Sequence, residues 1–348
     1  MYNMSKRGLI FTLALLIIIL FSFIALYFGY FLISPAGIDK KETIFIVKKG
    51  SGLRTVASDL QRKRLIKSKD LFILCAILKG GTKDIKAGEY SLNQSMSPVT
   101  IFNILSTGAI KTYAVTIPEG LTAQQIADLL ATKNLVNIRE FISLVMDKTL
   151  TAYYHIDGTS LEGYLFPDTY VISRDTDAQE LINLMITRFQ KIFTALAKDR
   201  ESTTGSLLPV KDIVTLASIV EKEGGRAEEK PIIASVFLNR LKKRMRLKSD
   251  PTVIYGLKNF NGNLKKKDLR TPGPYNTYLN YGLPPGPIAN PGRESLMAVI
   301  KPANTDYLYF VAKNDGSHHF SASLSEHNKA VYRYQKRRRS ISSNNKKK

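Results

Sequence analysis

The chain has 348 residues, 51 Lys and Arg against 29 Asp and Glu, a net charge of +22 and one cysteine, Cys75. One cysteine excludes an internal disulfide framework, and the length suffices for two domains. The surplus charge argues only weakly for nucleic acid, because much of it lies in the acid-free tail from Arg333 to Lys348 and the other lysines are scattered.

No charged residue stands between Gly8 and Ile38, and Leu9–Ile33 is almost wholly Leu, Ile, Phe, Ala and Tyr. A helix needs about 20 apolar residues to cross the hydrocarbon core. The expectation is therefore a short N-terminus over 1–8 and a single-pass membrane helix over 9–33. A cleaved signal peptide would carry an apolar region of only about 7–15 residues, and Ser34-Pro35-Ala36 is a poor cleavage site. Lys6 and Arg7 precede the span, but Lys40, Lys41, Lys48 and Lys49 follow it, so local charge leaves the orientation open.

Next comes an internal repeat. Thr43–Val47 reads as a strand ending at Lys49-Gly50, followed by Leu53, Val56, Ala57 and Leu60 at helical spacing. Ala114–Ile117 ends likewise at Pro118-Glu119-Gly120, followed by Ile126, Ala127 and Leu130. At one constant offset Gly50 falls on Gly120, Leu65 on Leu135, and Leu71 on Phe141. Each copy reads as strand, glycine turn, helix and short second helix. This opening resembles that of LysM glycan-binding modules, although a duplicated packing unit without a ligand would look the same. Between the copies Lys86–Leu92 reads as a strand, and Pro98 can open a helix through Leu105.

Past Gly158 the character changes. Leu161-Glu162-Gly163-Tyr164-Leu165-Phe166-Pro167-Asp168-Thr169-Tyr170 mixes acids with aromatics, a composition that suits sugar rings as well as an ordinary aromatic turn. Leu181–Leu196 reads as an amphipathic helix. From Pro209, the segment through Gly224-Gly225 reads as a helix with Ile213, Leu216, Ala217 and Val220 on one face. Glu221 and Glu223 fall on opposite edges of that face. A carboxyl at such a border loses water, which favours its protonated form and suits a general acid. Surface pairing with Lys222, Arg226 or Arg240 is the alternative, and helical geometry does not choose between the two acids. A helix from Pro231 to Leu241 follows, then Ser249-Asp250-Pro251-Thr252-Val253-Ile254-Tyr255-Gly256. Thr271–Gly292 is a long loop rich in proline and glycine, whose tyrosines and asparagines suit an ordered binding wall.

Together, Leu161–Tyr170, Leu216–Glu223, Asp250–Gly256, Tyr275–Tyr278, Gly282–Gly292 and Ser317–Phe320 resemble the endolytic murein (peptidoglycan) transglycosylases, the YceG-like family. That resemblance implies that Glu221 is the catalytic acid, and that the N-terminus is cytoplasmic with the body outside the inner membrane. It implies cleavage of the β-1,4 bond between N-acetylmuramic acid and N-acetylglucosamine within nascent strands. Glu221 would protonate the leaving oxygen and then take the proton of the muramic C6 hydroxyl, giving a 1,6-anhydro end. It further suggests work alongside peptidoglycan synthases, ending new strands. Glu162, Asp250, Tyr275, Asn276 and Tyr278 are assigned to substrate contact.

Two other readings stay open: a membrane-tethered glycan-binding scaffold, and a hydrolase using two carboxylates. No cofactor is called for. No metal site is expected either, because His318, His319 and His327 match no zinc spacing. The expected class is α+β, with a LysM-like module over 40–110 and a mixed catalytic domain over 111–331. The basic tail over 332–348 reads as solvated and disordered, or as a contact for anionic lipid or polymer.

Overall fold

α1 (Lys6–Ile33) is one uninterrupted helix in a computed structural model that describes residues 6–81, 85–201, 208–258 and 260–336. Its segment Leu9–Ile33 is long and apolar enough to cross a membrane, and apart from Phe31 near its end none of it is buried in the protein. Contacts divide the chain into two units, Met1–Tyr113 with Val171–Asp175, and Ala114–Tyr170 with Thr176–Lys348.

In the first unit, β1 (Thr43–Val47) leads through a glycine turn to α2 (Leu53–Arg62) and α3 (Lys69–Leu78). β2 (Gly88–Leu92) then pairs antiparallel with β1, Thr43 opposite Leu92 and Val47 opposite Gly88. α4 (Pro98–Thr107) begins at the expected proline, with the Ser97 hydroxyl capping it. Phe45, Leu60, Phe72, Tyr90 and Leu105 form the core. The Glu89 carboxylate is buried, but it accepts from Tyr113 Oη at 2.9 Å and faces Arg174 at 3.6 Å.

The repeat is visible in the backbone. β3 (Tyr113–Thr116), α5 (Ala123–Thr132) and α6 (Ile138–Val145) follow the same order as β1, α2 and α3. Gly50 and Gly120 adopt φ of 80° and 75°, and Arg64 and Asn134 adopt 58° and 55°. Backbone bonds Leu65 N–H to Leu60 O and Leu135 N–H to Leu130 O match as well. In the second copy Thr122 and Gln125 form a reciprocal cap on α5. α7 (Lys148–Tyr153) follows, and β4 (Thr169–Ile172) pairs with β3.

The second unit centres on α9 (Val210–Glu223), reached through α8 (Ala178–Glu201). Every residue from Ile213 to Val220 is buried. The helix is therefore central, where the single apolar face read from the sequence describes a surface helix. It is surrounded by α10 (Lys230–Lys242), α11 (Asp250–Gly256) and α12 (Arg293–Ile300). The antiparallel hairpin β5 (Tyr309–Ala312) and β6 (His318–Ser321) precedes α13 (Leu324–Val331). Tyr332–Lys336 continue as a further helical turn, and the rest of the expected tail lies outside the described residues.

Candidate active site

α9 ends at Gly224, whose φ of +75° turns the chain away immediately after the two acids. The helix directs those acids into different surroundings. Glu221 Oε2 accepts from the Ser295 hydroxyl at 2.6 Å and the Gly292 N–H at 3.1 Å. Lys230, itself buried, holds both Glu221 oxygens at 3.3 Å. The same ammonium lies 3.9 Å from a second carboxylate, that of Glu119. Burial, followed by the charge of Glu221, pushes the Glu119 carboxyl above its ordinary value. Gly292 makes this crowding possible, because a Cβ there would fall on the Glu119 carboxylate.

Glu119 did not emerge from the sequence reading, where Pro118-Glu119-Gly120 served only as a turn. A signal was present nonetheless: at the constant offset that superposes Gly50 on Gly120, Glu119 stands where the first copy has Lys49. The duplication reverses charge at that position.

Glu223 borders a different space, a cleft of about 620 Å³ lined also by Arg240, Asp250, Tyr278, Tyr309 and His318. Glu221 is not among the residues lining it. Ser249 Oγ donates to Glu223 at 2.5 Å, and burial, with Asp250 nearby, raises the Glu223 carboxyl to about 7. Tyr278 Oη donates to Asp250 at 2.6 Å.

The other expected contacts are turned inward. Glu162 is 5% exposed and accepts from the Ala123 N–H at 3.0 Å, Asn290 Nδ2 at 2.8 Å and Tyr255 Oη at 3.3 Å. Burial raises its carboxyl to about 7. Asn276 is buried, donates to the carbonyls of Leu269 and Thr271, and accepts from the Tyr278 N–H. Tyr275 packs on Tyr255 with ring centroids 4.9 Å apart. Sequence thus brings together Asp250, Tyr278 and Glu223, while Glu162 and Asn276 brace the walls. Their polar atoms are hydrogen-bonded within the protein, and both side chains are buried.

A further brace was not anticipated. Asn290 Oδ1 accepts from the N–H groups of Gly163 and Leu165, both at 2.9 Å, and its amide donates to Leu121 O and Glu162. Gly163, at φ +90°, has Pro287 against it with no room for a side chain. The Ser218 hydroxyl of α9 accepts from the Ile288 N–H at 3.0 Å. The loop is thereby bound to the helix that carries Glu221. As for the histidines, His318 Nδ1 pairs with Glu229 at 2.9 Å, His319 lies near Tyr334, and His327 stacks on Tyr309. Among the described residues no group of three or more His, Cys, Asp or Glu is placed to hold a metal.

The profile of the YceG-like family matches residues 45–333. An endolytic murein transglycosylase of Bacillus subtilis (strain 168) is 36% identical over 327 residues, spanning 89% of this chain and 90% of that protein. One from Streptococcus pneumoniae serotype 2 (strain D39 / NCTC 7466) is 30% identical, over 88% of this chain but 61% of its own length. The crystal structure of a YceG-like protein from Listeria monocytogenes matches with a TM-score of 0.57 at 32% identity, over 84% of this chain and 100% of that one. Profile, sequence and fold agree, and the chain belongs to the YceG-like family.

Proposed function

We propose that the protein is a membrane-anchored peptidoglycan lytic transglycosylase with Glu221 as its acid and base. The single observation that carries this is the cluster at the end of α9, where Glu221 meets Lys230, Ser295, the Gly292 N–H and a second acid under the family's proline-rich loop. The names of the relatives supply the reaction class, murein transglycosylation.

In this reading Oε2 of Glu221 is occupied by Ser295 and Gly292, so the transferable proton rides on Oε1. That proton goes to the glycosidic oxygen as the bond to the muramic C1 breaks. The carboxylate left behind then takes the proton of the C6 hydroxyl, whose oxygen closes on C1. No water enters, and one carboxyl serves twice. Lys230 can pair with Glu119 while Glu221 is protonated, and with both acids once it is charged. Asp250, Tyr278 and Arg240 offer polar groups to the glycan along their cleft. α1 holds the body beside the membrane, N-terminus inside and catalysis outside, where nascent strands could be ended next to their synthases. The 40–110 module is assigned to glycan contact on its likeness to LysM modules.

Purified peptidoglycan digested by wild type should yield anhydro-muramic ends by mass spectrometry. Glu221→Gln should lose at least about 10²-fold in rate with its fold intact, since an amide transfers no proton. Anhydro products released by that variant at the wild-type rate would sink the assignment, and parallel loss in Glu223→Gln alone would move the role to the cleft acid. A second reading, hydrolysis by two carboxylates, is favoured by one observation: Glu119 shares Lys230 with Glu221. It predicts reducing ends instead.

A further inference from the structure

α3 is apolar on all sides: Leu71-Phe72-Ile73-Leu74-Cys75-Ala76-Ile77-Leu78 run without a polar residue. A helix with no polar face needs cover all round, from protein or from lipid. One side has it, since Phe72, Cys75 and Ala76 are buried, Phe72 and Ala76 in the first unit's core. The other does not: Leu74, Ile77 and Leu78, at i, i+3 and i+4, are 42%, 51% and 67% exposed.

The duplication supplies an internal comparison. At the constant offset, Ile77 and Leu78 correspond to Asp147 and Lys148 in the second copy, residues that suit water. Only the copy joined to α1 keeps an apolar outer face at these positions. That copy is also fastened to the end of α1. The helix packs against α3 and α4, Phe31 near its end is buried, and Lys67 Nζ, just before α3, donates to Ser34 Oγ at 3.0 Å. In the segments next to this junction Lys40, Lys41, Lys67, Lys69 and Lys79 are exposed, against the acids Asp39, Glu42 and Asp70, and Ile33 and Ile38 are exposed as well. An exposed apolar helix face, with lysines in excess over acids in the segments beside it and packed against a membrane span, has the make-up of an interfacial helix, which sinks about 5–10 Å into the head-group boundary.

We propose that Leu74, Ile77 and Leu78 insert into the bilayer surface at the C-terminal end of α1, so that the first unit lies on the membrane instead of hanging from it. This rests on the reading of α1 as a membrane span. The two can be tested together because the chain contains no tryptophan. Single tryptophans would be placed at Leu74, Leu78, Asp147 and Phe21 of the full chain, reconstituted in phosphatidylcholine–phosphatidylglycerol vesicles with lipids brominated at shallow or deep acyl positions. Leu74→Trp and Leu78→Trp should emit at shorter wavelength than Asp147→Trp and lose most of their emission to shallow bromines. Phe21→Trp should be quenched by deep ones, and Asp147→Trp by neither. Deep quenching of Phe21→Trp with none at Leu74→Trp or Leu78→Trp would overturn the proposal and leave the span standing. Blue-shifted but unquenched emission at those positions would assign the cover to protein, which also overturns it. No quenching at Phe21→Trp would remove the span and this proposal with it.

Discussion

Glu221 and Glu223 differ by two positions along one helix, yet their neighbours give them different settings. Lys230, Ser295 and a backbone amide donate to Glu221, with Glu119 across the same ammonium, whereas Glu223 has one hydroxyl donor, with Asp250 and Arg240 nearby. The pH dependence of stability should report the second setting. With its folded value near 7 against an ordinary 4.5, Glu223 keeps a proton that the unfolded chain has released. Stability should therefore fall as pH rises from about 4.5 to about 7 and level off above. The Glu223 share is on the order of 3 kcal/mol, and Glu162 contributes in the same direction. Urea unfolding at pH 5 and pH 8 should show a smaller difference for Glu223→Gln than for wild type; an unchanged difference would refute the assignment. Gly292→Ala tests the first setting. Its backbone suits any residue, and the displaced group is the end of a flexible side chain, so the melting temperature should barely move. Displacing Glu119 should still cost about 10–100-fold in cleavage rate. Wild-type cleavage by that variant would show that the second acid is dispensable.

At the level of elements, Asn290 joins three pieces of chain through four hydrogen bonds of one buried amide. Asn290→Ala would leave two buried N–H groups without partners and remove one donor from the buried Glu162 carboxyl. The expected loss is about 3 kcal/mol or more by urea unfolding, against about 1 kcal/mol for removing the α5 cap with Thr122→Ala. Equal, small losses would mean that the loop is held in other ways. This contrast also marks what could be read from sequence. The glycine turns, the strands of both copies, α9 and the proline start of α4 rest on local rules of spacing, capping and φ, and they emerged from residue order alone. The roles of Glu162 and Asn276 did not. Glu162 is held by partners remote in sequence, Ala123 and Asn290, and Asn276 by the turn of its own loop, through Leu269, Thr271 and Tyr278. Glu119 was hidden for the same reason as Glu162: Lys230 and Gly292, which make it part of a cluster, are remote in sequence.

Across the whole molecule, the two copies of one small unit have diverged at opposite ends. The first carries Lys49 at its turn and Ile77-Leu78 on its second helix; the second carries Glu119 and Asp147-Lys148. If the proposed function and the proposed membrane face both hold, chemistry and membrane contact are divided between the two copies. A chain beginning at Asp39 should remain able to cleave isolated peptidoglycan while its membrane-bound share falls to what the Leu74, Ile77 and Leu78 face alone can hold, measured by fractionation and product analysis. Loss of both properties together would tie the span to the fold itself.

The ties from Ser218 to Ile288 and from Asn290 to Gly163 and Leu165 have a kinetic consequence. A stretch rich in proline and glycine, with no regular structure, is ordinarily where proteases cut first and where amide hydrogens exchange fastest. Here the Ile288 amide is bonded to the buried helix α9, and the Asn290 amide to Leu121 O. These loop amides can open only when α9 and its surroundings open. In deuterium exchange they should keep pace with the amides of α9, and a protease should spare the segment for as long as the domain stays folded.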